Sequence, residues 1–470
     1  MKKFLIINSN TEILPYPVAP LGVALVASSL KSHYHVKVFD AAFNTTAQLV
    51  ELIKDFAPDY IGVGLRNIDN VTMRGCQWYL GKIKESIINP VKKNFNGPLI
   101  LGGSGFSIAP KQVLEFYDAD YGIIGEAENK LPELLSYLEK GETNFLINNV
   151  ITKKQVSYNT EKINSKKLVI PRANIDTFIN YYSYNTRGSY PIQTKRGCSH
   201  QCIYCSYPNI EGKKYRLREV VDIVDEIEEV SQRIHQVTFE FVDSVFNTPL
   251  DYAINICKEI IRRDLNVKLR TMGINPGDVT DELISVMKNA GFSQIDCTPD
   301  SASEIMIKSY RKNFTKNKLI QCADIIRKHN MPTMWFFMVG GPGETKETIL
   351  ETFDFIDRYI SPEDMVHITE GIRIIPNTQL YDIALEEGVI SENDSVIQPM
   401  FYVSPSIGKE NLTLLLEQEI AKRENVLNSI DTSPPPERLK QALDYRQQYL
   451  IDEPMFRTLL RLKKWNKKTE

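Results

Sequence analysis

The sequence predicts an α/β protein built in tandem, with a doubly wound N-terminal domain, a partial (β/α)6 barrel and a small helical C-terminal cap. Two observations carry this prediction. Short, apolar, β-branched runs alternate with amphipathic stretches in two separate series, divided by a polar, irregular stretch. After residue 391 only helical periodicity remains. The boundaries follow: 1–145, a linker over 146–189, the barrel over 190–390, and the cap over 391–470.

In the first series the strand candidates are KFLIIN (3–8), HVKVF (35–39), YIGVGL (60–65), PLILGG (98–103) and YGIIG (121–125). Helical stretches lie near 20–32, 46–57, 76–92, 110–117 and 129–139. Such alternation implies a parallel, Rossmann-like sheet whose ligands meet the carboxyl ends of its strands. In the second series the candidates are PIQTK (191–195), QVTFEFV (236–242), NVKLRT (266–271), QIDCT (294–298), PTMWFFMV (332–339) and VHITEG (366–371). Six strands with helices between them suit an open barrel, with chemistry at the strand ends. The cap is helical around 409–428 and 436–465, is interrupted by Pro434, Pro435 and Pro436, and is expected to shape the pocket.

Composition removes some classes. A formal net charge of -3 gives no basic field for nucleic acid, and none is expected as a partner. The basic end RLKKWNKKTE reads as a solvated tail. No apolar run approaches the ~20 residues that cross a bilayer. MKKFLIINSN is too short for a signal-peptide core and reads as a first strand. Seven unevenly spaced cysteines do not look like a disulfide framework, so the chain reads as cytoplasmic and reduced.

Three of the seven cysteines, Cys198, Cys202 and Cys205, share the segment TKRGCSHQCIYCSYP. A structural zinc site wants four ligands, usually as two paired knuckles, and no second pair follows. His200 is the local candidate for a fourth ligand, but it reads more simply as a loop side chain. Three close thiolates suit three corners of a cubane iron–sulfur cluster. The fourth iron is then open to bind and activate a substrate.

The spacing Cys-x3-Cys-x2-Cys, with Tyr204 before the last cysteine and a first barrel strand ahead of it, resembles the radical S-adenosylmethionine superfamily. The resemblance implies that the methionine end of S-adenosylmethionine chelates the open iron. An electron then cleaves the sulfonium to methionine and a 5′-deoxyadenosyl radical. It also implies S-adenosylmethionine contacts. Asp243 in FVDSVFN would meet the ammonium, Asp300 and Ser301 the ribose, Arg311 or Lys312 the carboxylate, and Gly340 and Gly341 in MVGGPGET the adenine.

PVAPLGVALVASSLKS (17–32), LILGGSGFSIAP (99–110) and YGIIGEAENKLPELL (121–135) resemble the cobalamin-binding domain that precedes the radical domain in a large class of these enzymes. The implied corrin contacts are Leu21, Gly22, Arg66, Asn67, Gly102, Gly103, Ser104, Gly105, Gly125 and Glu126. No Asp-x-His-x-x-Gly motif is present, so no protein histidine is expected beneath cobalt.

The expected cofactors are therefore a 4Fe–4S cluster, S-adenosylmethionine and cobalamin. The expected activity is methyl transfer to an unactivated carbon of an organic substrate. A reductase, flavodoxin or ferredoxin would supply electrons. Cyclisation or rearrangement with the same cofactors is the rival within enzymes, and a metal-stabilised binding protein is the rival outside them. A methylthiotransferase fits less well, because the N-terminal domain offers only Cys76 for a second cluster. No acid or base is singled out as catalytic.

Overall fold

The computed structural model describes residues 1–13, 16–142, 147–153, 166–182, 188–429 and 434–469. Its N-terminal sheet holds β1 (Lys3–Asn8), β2 (His35–Asp40), β3 (Tyr60–Gly64), β4 (Leu99–Gly102), β5 (Tyr121–Ile123) and β6 (Val150–Thr152), in the order β2-β1-β3-β4-β5-β6. The first five are parallel and β6 is antiparallel to β5. β6 lies in the stretch read as linker. Three residues are too few to show a strand period, and pairing with β5 alone makes them a strand.

β1 is buried from Phe4 to Asn8, because helices cover both faces of a parallel sheet. The stretch expected as one helix over 76–92 forms Tyr79–Ile83, a π turn over Lys84–Ile88, and Asn89–Asn94. Pro90 has no N–H to give the preceding turn, which accounts for the widened ladder there. The strand order reverses direction between β1 and β3, so the loops after these two strands diverge and leave a crevice.

The ribbon β8 (Lys195–Arg196) and β9 (Arg216–Leu217) follows β7 (Ser189–Ile192). Then come β10 (Thr238–Phe241), β11 (Lys268–Thr271), β12 (Ile295–Asp300), β13 (Thr333–Val339) and β14 (Met365–Glu370). β7, β10 and β11 are parallel neighbours, as are β12, β13 and β14. Bridges at Leu269–Phe292 and Ile274–Cys297 join the two groups into one curved wall. Helices such as Leu250–Arg262 and Lys346–Tyr359 cover its outside.

The C-terminal part departs from an all-helical cap. β16 (Phe401–Tyr402) pairs with β15 (Ile372–Arg373), and β17 (Val426–Asn428) pairs in parallel with β14, lengthening the barrel wall. The last helices, Pro436–Tyr449 and Met455–Thr469, carry the basic end within regular structure. Phe456 and Leu460 pack on Met365, Met334 and Leu427. Arg457 pairs with Asp364 at 3.0 Å, just before β14. These contacts lie at the amino ends of the strands. The last two helices close the barrel floor, whereas residues 397–417 of the same segment reach the carboxyl ends, where Ser404 N–H donates to Gly340 O (2.8 Å). Among the described residues, no helix is long and apolar enough to cross a membrane.

The carboxyl ends of the two sheets face each other. Buried Arg373 pairs with buried Asp69 at 2.7 Å. Arg74 meets Glu370 at 2.8 Å, and Trp78 Nε1 donates to Ile397 O at 2.8 Å. Tyr181, just ahead of β7, donates to Asp40 at the end of β2 (3.0 Å).

Candidate functional site

The ribbon β8–β9 brackets the cysteine loop. Gly197 has φ of +88°, and a β-carbon there would stand 2.2 Å from Lys214 O, so only glycine turns the chain into this loop. Cys198 N–H donates to Gly212 O (3.0 Å) and Cys205 N–H to Cys202 O (3.2 Å). Ile203 pins the far side, with its N–H on Tyr310 O (3.3 Å) and its carbonyl accepting from Leu380 N–H (2.9 Å).

Burial pushes the Cys202 thiol up and the Cys205 thiol up to about 12, where the backbone N–H of Tyr207 partly opposes it. Such thiols ionise readily only when a cation takes the place of the proton, as iron does. Among the described residues, no three His, Cys, Asp or Glu side chains close on a single-ion site. In a cubane each thiolate meets its own iron, so a wider set is what a cluster needs. The donor set fits a cluster with one open iron.

His200 is occupied elsewhere. Asn275 Oδ1 accepts from Gly277 N–H (3.0 Å), so its amide nitrogen is the group 3.1 Å from His200 Nε2, and that nitrogen accepts. Burial, with Lys312 nearby, holds this imidazole below its ordinary value. His200→Ala is expected to leave iron per chain unchanged after anaerobic reconstitution. A fall in iron would revive the binding-protein rival.

The residues expected around S-adenosylmethionine divide into two groups. Tyr204, Asp300 and Lys312 come together beside the thiols. The Tyr204 hydroxyl and Lys312 Nζ both donate to Asp300 Oδ2, and Lys312 Nζ lies 3.3 Å from the Tyr204 oxygen. Burial works against the Lys312 cation, but Asp300 and the nearby cysteines outweigh it and raise its pKa. Asp300 is held at φ +64° at the end of β12, which turns its carboxylate into this network.

Asp243 and Ser301 face away from it. The Asp243 side chain has no exposed surface. It accepts from Thr194 N–H (2.8 Å), Thr194 Oγ1 (2.6 Å) and Lys195 N–H (3.2 Å), fixing the turn into β8. Ser301 Oγ lies 3.4 Å from Thr352 Oγ1 and accepts from Ser303 N–H. Arg311 is exposed, so Lys312 is the inward cation. Gly341 lies against the Tyr310 ring, and Gly340 N–H donates to Glu344.

In the N-terminal domain, Gly103 has φ of +96°, and a β-carbon would stand 2.4 Å from Leu65 O. Gly105 packs on the Arg66 and Asn67 backbone, and Ser104 Oγ donates to Arg66 O (2.7 Å). Residues 102–105 and the loop after β3 therefore form one surface at the crevice. Nothing lies within 4 Å of a β-carbon built on Gly22, which is exposed beside Leu21 at the start of helix Leu21–Leu30. Gly125 approaches Ile210 O at the barrel. Glu126 is spent on ion pairs with Arg196 (3.1 Å) and Arg216, and Glu128 also pairs with Arg196. These pairs clasp both strands of the cysteine ribbon.

Sequence reasoning missed Tyr207, two positions after Cys205. It is 43% exposed, and its short helix, Tyr207–Ile210, packs against Ser104–Ile108 of the N-terminal domain. Burial first, then Glu211, push its hydroxyl up to about 12, while Arg66 of the N-terminal domain opposes this. Also missed was Tyr16, whose hydroxyl donates to Glu240 (3.0 Å) and whose ring lies 4.2 Å below the Arg270 guanidinium. The adjacency of Tyr207 to the motif could have flagged it. Nothing local could have flagged Tyr16.

Comparison with known proteins agrees with this geometry. The model of the radical SAM superfamily matches residues 192–356, and that of the B12 binding domain matches residues 11–135. The tryptophan 2-C-methyltransferase of Streptomyces laurentii is 24% identical, over 79% of this chain and 72% of its own. An uncharacterized methyltransferase of Pyrococcus horikoshii is 23% identical over 79% of each chain. The structure of TsrM, a radical S-adenosylmethionine methyltransferase from Kitasatospora setae with cobalamin and a [4Fe-4S] cluster bound, matches with a TM-score of 0.83 at 21% identity over 100% of both chains. The cobalamin-dependent S-adenosylmethionine radical enzyme OxsB matches at 0.73 and 16% identity, over 100% of this chain and 71% of its own. With both domain models matched in this order, the chain belongs to the cobalamin-binding radical S-adenosylmethionine enzymes.

Proposed function

We propose that the chain is a methyltransferase that uses a 4Fe–4S cluster, S-adenosylmethionine and cobalamin to methylate an unactivated carbon of an organic substrate. The observation that carries this reading is the facing of two sites. The thiol loop and the Tyr204–Asp300–Lys312 network lie at the barrel mouth, the glycine loop and Arg66 lie opposite, and Tyr207 stands at the seam between them. The relatives support methyl transfer by name, and one TsrM structure holds tryptophan with an S-adenosylmethionine analogue.

When bound, the three cofactors supply an electron for sulfonium cleavage and a transferable methyl group. The chain's own residues do the rest. Cys198, Cys202 and Cys205 hold the cluster, with one position left to the methionine end of S-adenosylmethionine. Lys312 offers a cation to its carboxylate, and Asp300 and Tyr204 keep that cation in place. Residues 102–105, Arg66 and Asn67 meet the corrin. The pairs of Asp69 with Arg373 and of Glu126 with Arg196 keep the domains together.

The test is product counting with anaerobically reconstituted chain. Methylation is expected to yield S-adenosylhomocysteine together with 5′-deoxyadenosine. 5′-Deoxyadenosine alone would replace methylation by cyclisation or rearrangement. Iron without bound corrin would remove the methyltransferase reading.

A further inference from the structure

Solvent does not reach the three thiols equally. Cys198 is only 5% exposed, and residues 212–215 cover it. Its N–H bonds Gly212 O, the Tyr215 hydroxyl lies 3.7 Å from its sulfur, and Lys214 O presses on Gly197. The outer side of this strip is open, since Gly212, Lys213 and Lys214 are all exposed. Exposed Ser199 and Gln201 flank it.

Neither Lys213 nor Lys214 has a side-chain partner among the described residues, and the carboxylates around them are already paired, exposed Glu219 with Lys167 at 3.0 Å. Glu211 accepts from Gly197 N–H (3.1 Å), while Glu126 and Glu128 hold Arg196 and Arg216. Lys166, also exposed, joins the same edge through its carbonyl, which accepts from Leu217 N–H at 2.9 Å. Uncompensated positive charge therefore lies one layer of chain from a metal-binding thiol. On the other side of the ribbon, the N-terminal domain closes access.

We propose that Lys213 and Lys214, with Lys166 beside them, are the docking surface for a small acidic one-electron carrier protein, and that its electron enters through Gly212, Tyr215 and Cys198. This rests on the cofactor reading above. The carrier is oxidised by one electron and the cluster reduced by one. No proton or group moves, and Tyr215 bridges without being oxidised. Tunnelling weakens steeply with distance, and here the segment 212–215 touches the Cys198 loop directly, through the Gly212 carbonyl and the Tyr215 hydroxyl. Opposite charges steer the encounter and raise its rate, an effect that salt screens.

The experiment follows cluster reduction in the full, anaerobically reconstituted chain by stopped-flow absorbance, with flavodoxin hydroquinone as the probe. The double variant Lys213→Glu, Lys214→Glu is expected to lower the second-order rate about tenfold or more at low salt, with the difference shrinking as salt rises. Iron content, the spectrum of the reduced cluster, and reduction by photoreduced 5-deazaflavin, a small neutral reductant, are expected to stay unchanged. Lys213→Ala with Lys214→Ala is expected to give a smaller loss and guards against misfolding of the charge reversal. A wild-type rate with flavodoxin in both variants overturns the proposal. So does equal slowing with deazaflavin, which would mean that the charges act on the cluster itself. Wild-type chain that assembles no cluster would overturn the cofactor reading, and docking with it.

Discussion

Cys202→Ala, combined with Cys205→Ala, is expected to reduce iron from about four atoms per chain to near zero after anaerobic reconstitution. Loss of outer-shell support alone typically costs a metal site about 10–100-fold, so loss of two direct ligands should exceed that. S-Adenosylmethionine cleavage should fall below detection. The fold should survive, because both side chains are small and only half-buried. The loop is also held independently of the thiols, through Ile203 on Tyr310 and Leu380. Two measurements check this, iron and sulfide content and the thermal midpoint. Full iron retention with both thiols gone would sink the cluster assignment. Zinc at one atom per wild-type chain would return the structural-metal rival.

Lys312→Met is expected to cost about 3–5 kcal/mol of stability at pH 8, the usual penalty for stranding one member of a buried pair. Lys312 is 9% exposed and Asp300 10%, so solvent screens little of this. With the cation gone, the buried Asp300 carboxylate keeps the Tyr204 hydroxyl but has no positive partner. An unpaired buried carboxylate costs stability only while it is charged, so the cost shrinks as pH falls. The variant should therefore be closer to wild type at pH 5 than at pH 8. In wild type the Lys312 pKa is itself raised, so its contribution persists across the neutral range and is lost only in strong alkali. Asp300→Asn together with Lys312→Met should recover much of the loss in stability, because no charge is then unpaired. It should not recover S-adenosylmethionine binding if Lys312 meets the carboxylate. Recovery of both would reduce Lys312 to a structural role. Thermal melts at the two pH values and equilibrium binding of S-adenosylmethionine separate these outcomes.

The cysteine triad was legible because ligand spacing is a local property of one loop. The strands were legible because β1–β5 and the barrel strands are parallel and covered by helices. Residues such as Phe4–Ile7 and Trp335–Phe337 then read as apolar runs without any partner being known. Asp243 shows the limit. Its position at the end of β10 suited a ligand contact, but Thr194 and the Lys195 N–H, close in space and distant in sequence, claim the carboxylate. Glu126 is paired in the same way, by arginines that belong to the other domain.

The sequence by itself determined the order of the two domains, the six barrel strands, the three thiols and the glycine loop at 102–105. Each rests on composition or period within a few residues. Only the tertiary structure decided which polar groups are free. It spent Asp243, Ser301, Glu126 and His200 on neighbours and joined Lys312 to Asp300 and Tyr204. It placed the last two helices at the barrel floor and set Tyr207 against the N-terminal domain. The physical reason is that a buried charge or donor must find a partner, and the nearest partner in space is seldom the nearest in the chain.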